Sequence, residues 1–237
     1  MALLLAAAAG CSAGPIAWED TTVTAANAPA AAVAGVPHSA GQCTLSVRTA
    51  VDASGTRHAV WWQLRADRTA DLVTARSADG RTWSAPLRID TLDAGRVGCF
   101  RAPPAITADG SNIHVVYAMH AREGPGIFLT HSMDGGGLYH SPSTVVYGPK
   151  PGRADVAASG NLVLVAYEDP NTSPTRISVA ISTTMAHLFE YRQVVSPPGV
   201  ALTLPRVAIE GRRVTVTWAR TLLDSSAARS GRAGVVR

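Results

Sequence analysis

Four arginines open successive strand-rich stretches of this 237-residue chain: Arg48, Arg101, Arg153 and Arg206. A guanidinium is planar and permanently charged, and its fork meets a carboxylate through two parallel hydrogen bonds. Gathered around one point, such residues would hold an anion. Taken singly, each would pair with a loop carboxylate or face water. Arg101, Arg153 and Arg206 form the expected substrate-binding set, with Arg48 placed likewise. A second constellation, Tyr167-Glu168-Asp169, sets a phenol beside two carboxylates. Neighbouring residues of a strand point to opposite faces, so Tyr167 reads as a core aromatic and no catalytic residue is assigned. The seven histidines lack H-x-x-x-H spacing, so no metal site or cofactor is expected. No G-x-S-x-G or phosphate-binding loop occurs, which leaves hydrolase-elbow and nucleotide readings without support.

The elements that position these groups recur. Gly55, Gly110 and Gly160 each precede an apolar run with an aromatic seven residues on, at Trp62, Tyr117 and Tyr167, and a serine twenty-two residues on, at Ser77, Ser132 and Ser182. Gly211 and Trp218 repeat the first step, and the glycines are 55, 50 and 51 residues apart. In the second unit, Phe100–Ile106 reads as an inner strand, Ile113–Met119 as the next, Glu123–Gly126 as a loop, Ile127–His131 as a third strand and Ser143–Tyr147 as a fourth. Val214, Val216 and Trp218 alternate with threonines, the period of a strand. No segment has a helical period. Four short antiparallel strands per unit of about fifty residues make a β-propeller blade. The fold expected is all-β, with four blades visible. Inner-strand residues of a propeller point to its axis, where a ring of arginines would make an anion site.

Composition narrows the class. The chain is 46% apolar and 16% charged, with net charge +4, and Lys150 is its only lysine. The arginines stand singly, without the concentrated patch a nucleic-acid face needs. Leu3–Ala9 is apolar and is followed by Gly10 and Cys11. Small residues before a cysteine resemble a bacterial lipoprotein signal, which implies cleavage before Cys11 and a lipid on its thiol, outside the cytoplasm. No basic residue precedes the apolar run, unlike the usual n-region. Residues 12–41, rich in Ala and Pro, read as a tether before a propeller over 42–237. Inside that tether, Ile16-Ala17-Trp18 and Thr21–Thr24 have strand propensity and could complete a distant blade.

With Cys11 lipidated, Cys43 and Cys99 remain, at nearly matching places in adjacent units. They are either a disulfide, which an oxidising compartment permits, or two free buried thiols; parity favours the disulfide.

Ser-x-Asp-x-Gly-x-x-aromatic resembles the Asp-box (BNR) repeat of sialidase-like propellers. Ser132, Asp134, Gly136 and Tyr139 keep that spacing; Ser77, Asp79, Gly80 and Trp83 keep a form one residue shorter. Ser182 and Phe189 hold position in a third copy, where Thr184 and Ala186 replace the aspartate and glycine. These boxes are expected to be structural. Phe100-Arg101-Ala102-Pro103 resembles the family's Phe-Arg-Ile-Pro motif, which supplies the first arginine of a carboxylate-gripping triad. The resemblance implies a surface propeller binding a glycan or other extracellular ligand. The alternatives are an exo-sialidase or related glycosidase, present as an incomplete chain, and an interaction module without a small-molecule site. Six sialidase blades would need roughly 300 residues at this period.

Overall fold

The computed structural model describes residues 14–25, 36, 40–220 and 229–237. Cys11 and the signal over residues 1–11 lie outside these residues, as does half of the tether. The tether nevertheless holds a strand, β1 (Ile16–Ala25). Blade I contains β2 (Arg48–Val51), β3 (Arg57–Leu64), β4 (Ala70–Ser77) and β5 (Leu87–Asp90). Blade II contains β6 (Ala105–Asp109), β7 (Asn112–Ala121), β8 (Gly124–Ser132) and β9 (Ser143–Tyr147). Blade III contains β10 (Ala154–Ser159), β11 (Leu162–Glu168), β12 (Ile177–Ser182) and β13 (Tyr191–Val194). Blade IV contains β14 (Thr203–Glu210), β15 (Arg213–Ala219) and β16 (Arg229–Val236), and β1 pairs antiparallel with β16 as its outer strand. Over the described residues the protein is an all-β propeller of four four-stranded antiparallel blades. Its inner strands neighbour one another in the order β2, β6, β10, β14.

Two expected elements differ. Phe100–Pro104 is a loop, and β6 begins only at Ala105, because Pro103 and Pro104 cannot donate to a ladder. The loop expected at Glu123–Gly126 is mostly strand: β8 starts at Gly124, and Ala121 pairs with Gly124 across a tight turn.

The blades are joined by apolar seams. Val60, Trp62 and Leu72 of blade I meet Val115, Tyr117, Met119 and Phe128 of blade II. Val116, Ile127 and Leu129 of blade II meet Val163, Val165, Tyr167 and Phe189 of blade III. Leu164, Ala166 and Ile181 of blade III meet Val214, Val216 and Trp218 of blade IV, with Ile16 of β1. Alternate residues of β11 therefore serve opposite seams, as the strand period requires. Each fully buried large aliphatic contributes about 1.5–3 kcal/mol. Ala59, Trp61, Val73 and Ala75, on the other face of blade I, pack with Val36, Val47 and Trp83, and no blade IV residue joins them among the described residues.

Turn length corrects one reading of the repeat. Gly110, Gly160 and Gly211 have φ of 59°, 56° and 60° in two-residue turns between the pairs Asp109–Asn112, Ser159–Leu162 and Glu210–Arg213. Gly55 instead lies in a five-residue turn between Val51 and Arg57. Asp52 holds that turn by accepting from the Ser54 and Thr56 N–H groups at 2.9 and 3.0 Å. Counted by pairing, Ser77, Ser132 and Ser182 face Arg57, Ile113 and Val163. Trp61, not Trp62, then occupies the place of Tyr117 and Tyr167. A slip of one residue moves a side chain to the other face of the sheet, so Trp62 points into the seam with blade II.

The Asp-box residues build the turns between third and fourth strands. Asp79 Oδ1 accepts from the Ser77 hydroxyl at 3.0 Å and from the N–H groups of Arg81 and Thr82 at 2.8 and 2.7 Å. Asp134 Oδ1 accepts from the Ser132 hydroxyl at 2.7 Å and from the Gly137 and Leu138 N–H groups at 2.8 and 3.0 Å. The Gly136 N–H donates to Ser132 Oγ at 2.9 Å. In the third turn, Thr184 Oγ1 accepts from the Leu188 N–H at 3.2 Å, and Ser182 Oγ accepts from the Ala186 N–H at 3.0 Å. A threonine thus takes over the aspartate's work, and Ala186 adopts a left-handed φ of 69° where glycine is absent. Tyr139 packs on the seam between blades I and II, Phe189 is buried in the next, and Trp83 packs on the outer face of blade I.

Turn hydrogen bonds hold both carboxyls below the usual carboxylate value of 3.8, led by the Thr82 N–H for Asp79 and the Ser132 hydroxyl for Asp134. A carboxyl depressed in the folded state stabilises above its unfolded pKa and loses that contribution as pH falls through its folded value. Thermal melts of the wild type should fall steeply on acidification below about pH 4. The Asp79→Asn/Asp134→Asn variant should melt lower at neutral pH and show a shallower acid slope.

Candidate functional site

The pairing register gathers Arg48, Ala105, Asp155 and Arg206 into one layer around the axis. Each lies three residues before the inner-strand member that pairs opposite Arg57, Ile113, Val163 or Val214, the equivalent residues of the four second strands. This layer stands where the inner strands begin. Arg153, just before β10, joins it at the same mouth. A cavity of about 480 Å³ opens here, lined among others by Arg48, Phe100, Arg101, Arg153 and Glu168.

Three guanidinium groups, Arg48, Arg153 and Arg206, share this mouth with Asp155. Arg48 donates to the carbonyls of Leu45 and Val47 at 3.1 and 2.7 Å. Burial, then the charges of Arg206 and Arg153, push its pKa below the usual guanidinium value, with Asp155 opposing. Burial lowers Arg229 as well, followed by Arg206. Arg206 lies 3.6 Å from Asp155, which also accepts from the Val207 N–H at 3.0 Å. Burial raises the Asp155 pKa, with the Arg206 charge pulling the other way. Among the described residues no carboxylate forms an ion pair with Arg48 or Arg153. A carboxylate arriving here would relieve mutual repulsion between guanidinium groups.

Glu168 lines the cavity, but its oxygens are engaged. Oε2 accepts from the Arg153 N–H at 3.1 Å; Oε1 accepts from the Leu204 N–H at 3.1 Å and from the Thr203 hydroxyl. It ties blade III to the irregular start of β14, where Leu204 has φ of 53°. Gly152 permits this approach, since a Cβ there would collide with Glu168 Oε2. Tyr167, its neighbour, is 2% exposed in the seam between blades II and III, and burial pushes its hydroxyl up to about 12.

Arg101 is placed differently from its expected partners. Its Nη2 donates to the Asp93 carboxylate and the Gly95 carbonyl, and Nη1 to the Gly98 carbonyl at 2.9 Å. The side chain is 5% exposed and lies 5.7 Å over the Trp62 ring. It fastens the 93–101 loop instead of presenting a fork to the axis. Cys43 and Cys99 form a disulfide with Cα atoms 5.4 Å apart, joining this loop to the lead-in of blade I. Phe100, 92% exposed at the cavity, carries an apolar face that charge-based reading overlooked. Its only signal was an aromatic beside a loop arginine and two prolines. A larger depression of about 630 Å³ lies at the opposite end of the inner strands, walled by the Asp52–Thr56, Gly110–Ser111 and Asp134–Gly135 turns. The convergence of arginines distinguishes the smaller cavity.

No protein-family description matches the chain, and no curated protein sequence matches it. Solved structures do. A Hadza microbial sialidase matches at 15% identity and TM-score 0.50 over 73% of this chain, which spans 41% of that protein. A family 117 glycoside hydrolase from the marine bacterium Zobellia galactanivorans matches at 11% identity and TM-score 0.47, covering 88% of this chain and 74% of that one. A Bacillus subtilis arabinanase matches at 12% identity and TM-score 0.48, covering 78% and 70%. At these identities the likeness concerns the fold.

Removing one member of a buried ion pair strands the other, at a cost of about 3–5 kcal/mol. Arg101→Ala, which leaves Asp93 at 3% exposure without its partner, should therefore lower the melting temperature markedly. Arg101→Lys should recover little, since one ammonium cannot reproduce the fork. Calorimetric melts of the three proteins measure this.

Proposed function

We propose that this propeller binds an acidic carbohydrate at its axial mouth, with Arg48, Arg153 and Arg206 receiving the sugar's carboxylate. The observation that carries this reading is the convergence of these half-exposed to exposed guanidinium groups on one mouth, where Arg48 and Arg153 form no ion pair among the described residues. Phe100 supplies a flat apolar face beside them, of the kind sugar rings stack on. The fold likeness to a sialidase supports a carbohydrate as the ligand class. In this reading Arg101, although it lines the cavity, stabilises the loop bearing Phe100 and leaves the carboxylate to the other three arginines.

The alternative reading is a glycosidase cleaving terminal acidic sugars. Engagement of both Glu168 oxygens and burial of the Tyr167 hydroxyl favour binding without turnover. We place the protein outside the cytoplasm, held by lipid on Cys11, and the Cys43–Cys99 disulfide supports an oxidising compartment.

Isothermal titration with a sialylated oligosaccharide and its neutral counterpart tests the site. The acidic sugar should bind and the neutral one should not, with affinity falling as salt rises. Arg48→Ala or Arg206→Ala should each weaken binding about tenfold, the worth of a charge-assisted hydrogen bond. Equal affinity for both sugars would reject the carboxylate grip, and release of a fluorogenic aglycone from a sialoside would favour the glycosidase. For the anchor, detergent-phase partitioning of cell extracts should retain the wild type and lose Cys11→Ala.

A further inference from the structure

Histidines without a ligand spacing along the chain converge in space. His131 is the penultimate residue of β8, beside Ser132, and His140 follows Tyr139 after the same turn, its N–H donating to the His131 carbonyl at 2.9 Å. His187 belongs to the third turn of the Asp-box series, on blade III. The seam between blades II and III brings the three rings together, with centroids 4.6 Å apart for His131 and His140, 4.7 Å for His131 and His187, and 5.8 Å for His140 and His187. One nitrogen from each lies within 4.8 Å of the other two.

We propose that His131, His140 and His187 bind a divalent transition-metal ion, zinc by its donor preference, across the seam between blades II and III. His131 is 2% exposed and its Nε2 has no hydrogen-bond partner, a condition rare in buried polar groups and one that calls for a ligand. His187 Nδ1 lies 2.7 Å from the Thr184 carbonyl. A carbonyl only accepts, so Nδ1 carries the proton and Nε2 keeps its lone pair. Histidine ligands are oriented by outer hydrogen bonds of this kind. Burial, followed by the nearness of His140 and His187, pushes His131 down to about 4, so its ring is neutral at pH 7. His114, stacked behind it at 5.7 Å, is likewise held down to about 4, chiefly by burial.

A donor set of imidazoles alone suits zinc, copper or nickel and not magnesium or calcium. Zinc–nitrogen bonds of about 2.0–2.1 Å in a tetrahedron bring ligand nitrogens to about 3.3 Å from one another. The rings must therefore close in, and the 11° stack of His140 on His131 must open. His140 and His187 are both exposed and can turn. Three protein ligands leave a fourth position for water.

Tag-free full-length protein titrated with zinc chloride should bind one ion per chain, with a melting temperature raised by zinc and returned by a chelator. Cobalt in its place should give the visible ligand-field bands of a four-coordinate site. His140→Ala and His187→Ala change exposed side chains, so their metal-free melts should match the wild type while zinc affinity falls at least tenfold. A wild type that binds no stoichiometric zinc, or binding that survives both substitutions, would overturn the site.

Discussion

The sheets of blades I, II and III are apolar on both faces, and that constraint governs the rest of the molecule. A strand such as β11 sends Val163, Val165 and Tyr167 into one seam and Leu164 and Ala166 into the next. No blade can bury both faces by itself, so each depends on its neighbours. Blade IV turns Val214, Val216 and Trp218 to its seam with blade III and completes its sheet by recruiting β1, where the Arg237 N–H donates to the Pro15 carbonyl at 2.9 Å.

Seams that consume the apolar alternation leave polar chemistry to the strand ends and the axis. Arg48 and Arg206 stand in an axial layer beside Asp155, while Arg101 lies under a loop, over Trp62 and against Asp93. These are the same residue type at comparable places in the repeat, and burial assigns them opposite work. Arg48 forms no ion pair among the described residues and Arg206 faces Asp155 at 3.6 Å, whereas Arg101, enclosed with an aspartate and two carbonyls, is a brace.

Each seam also carries a distinct polar tie. Between blades I and II run the Cys43–Cys99 disulfide and the hydrogen bond from the Tyr117 hydroxyl to Asp90. Between III and IV, Glu168 gathers the Thr203 hydroxyl and the Leu204 N–H. Between II and III stand the imidazoles of His131, His140 and His187. Apolar packing is non-directional, and such ties add the directionality that holds one blade at a set height against the next.

The sequence by itself determined the all-β class, the period near fifty, most strand positions and the three Asp-box turns, because these rest on local alternation and turn chemistry that neighbouring residues carry. It misplaced the aromatic of blade I by one residue, since a glycine marks a turn without stating its length. It marked strand propensity at Ile16–Trp18 and Thr21–Thr24 inside the tether without naming the blade they complete, because the partner, β16, lies at the other end of the chain. Only the tertiary structure decided which arginines reach the axis and which is sealed into a loop, and only it brought three histidines together. Those outcomes depend on how sheets stack and on what each side chain meets across a seam, and no spacing along one strand records a neighbour about fifty residues away.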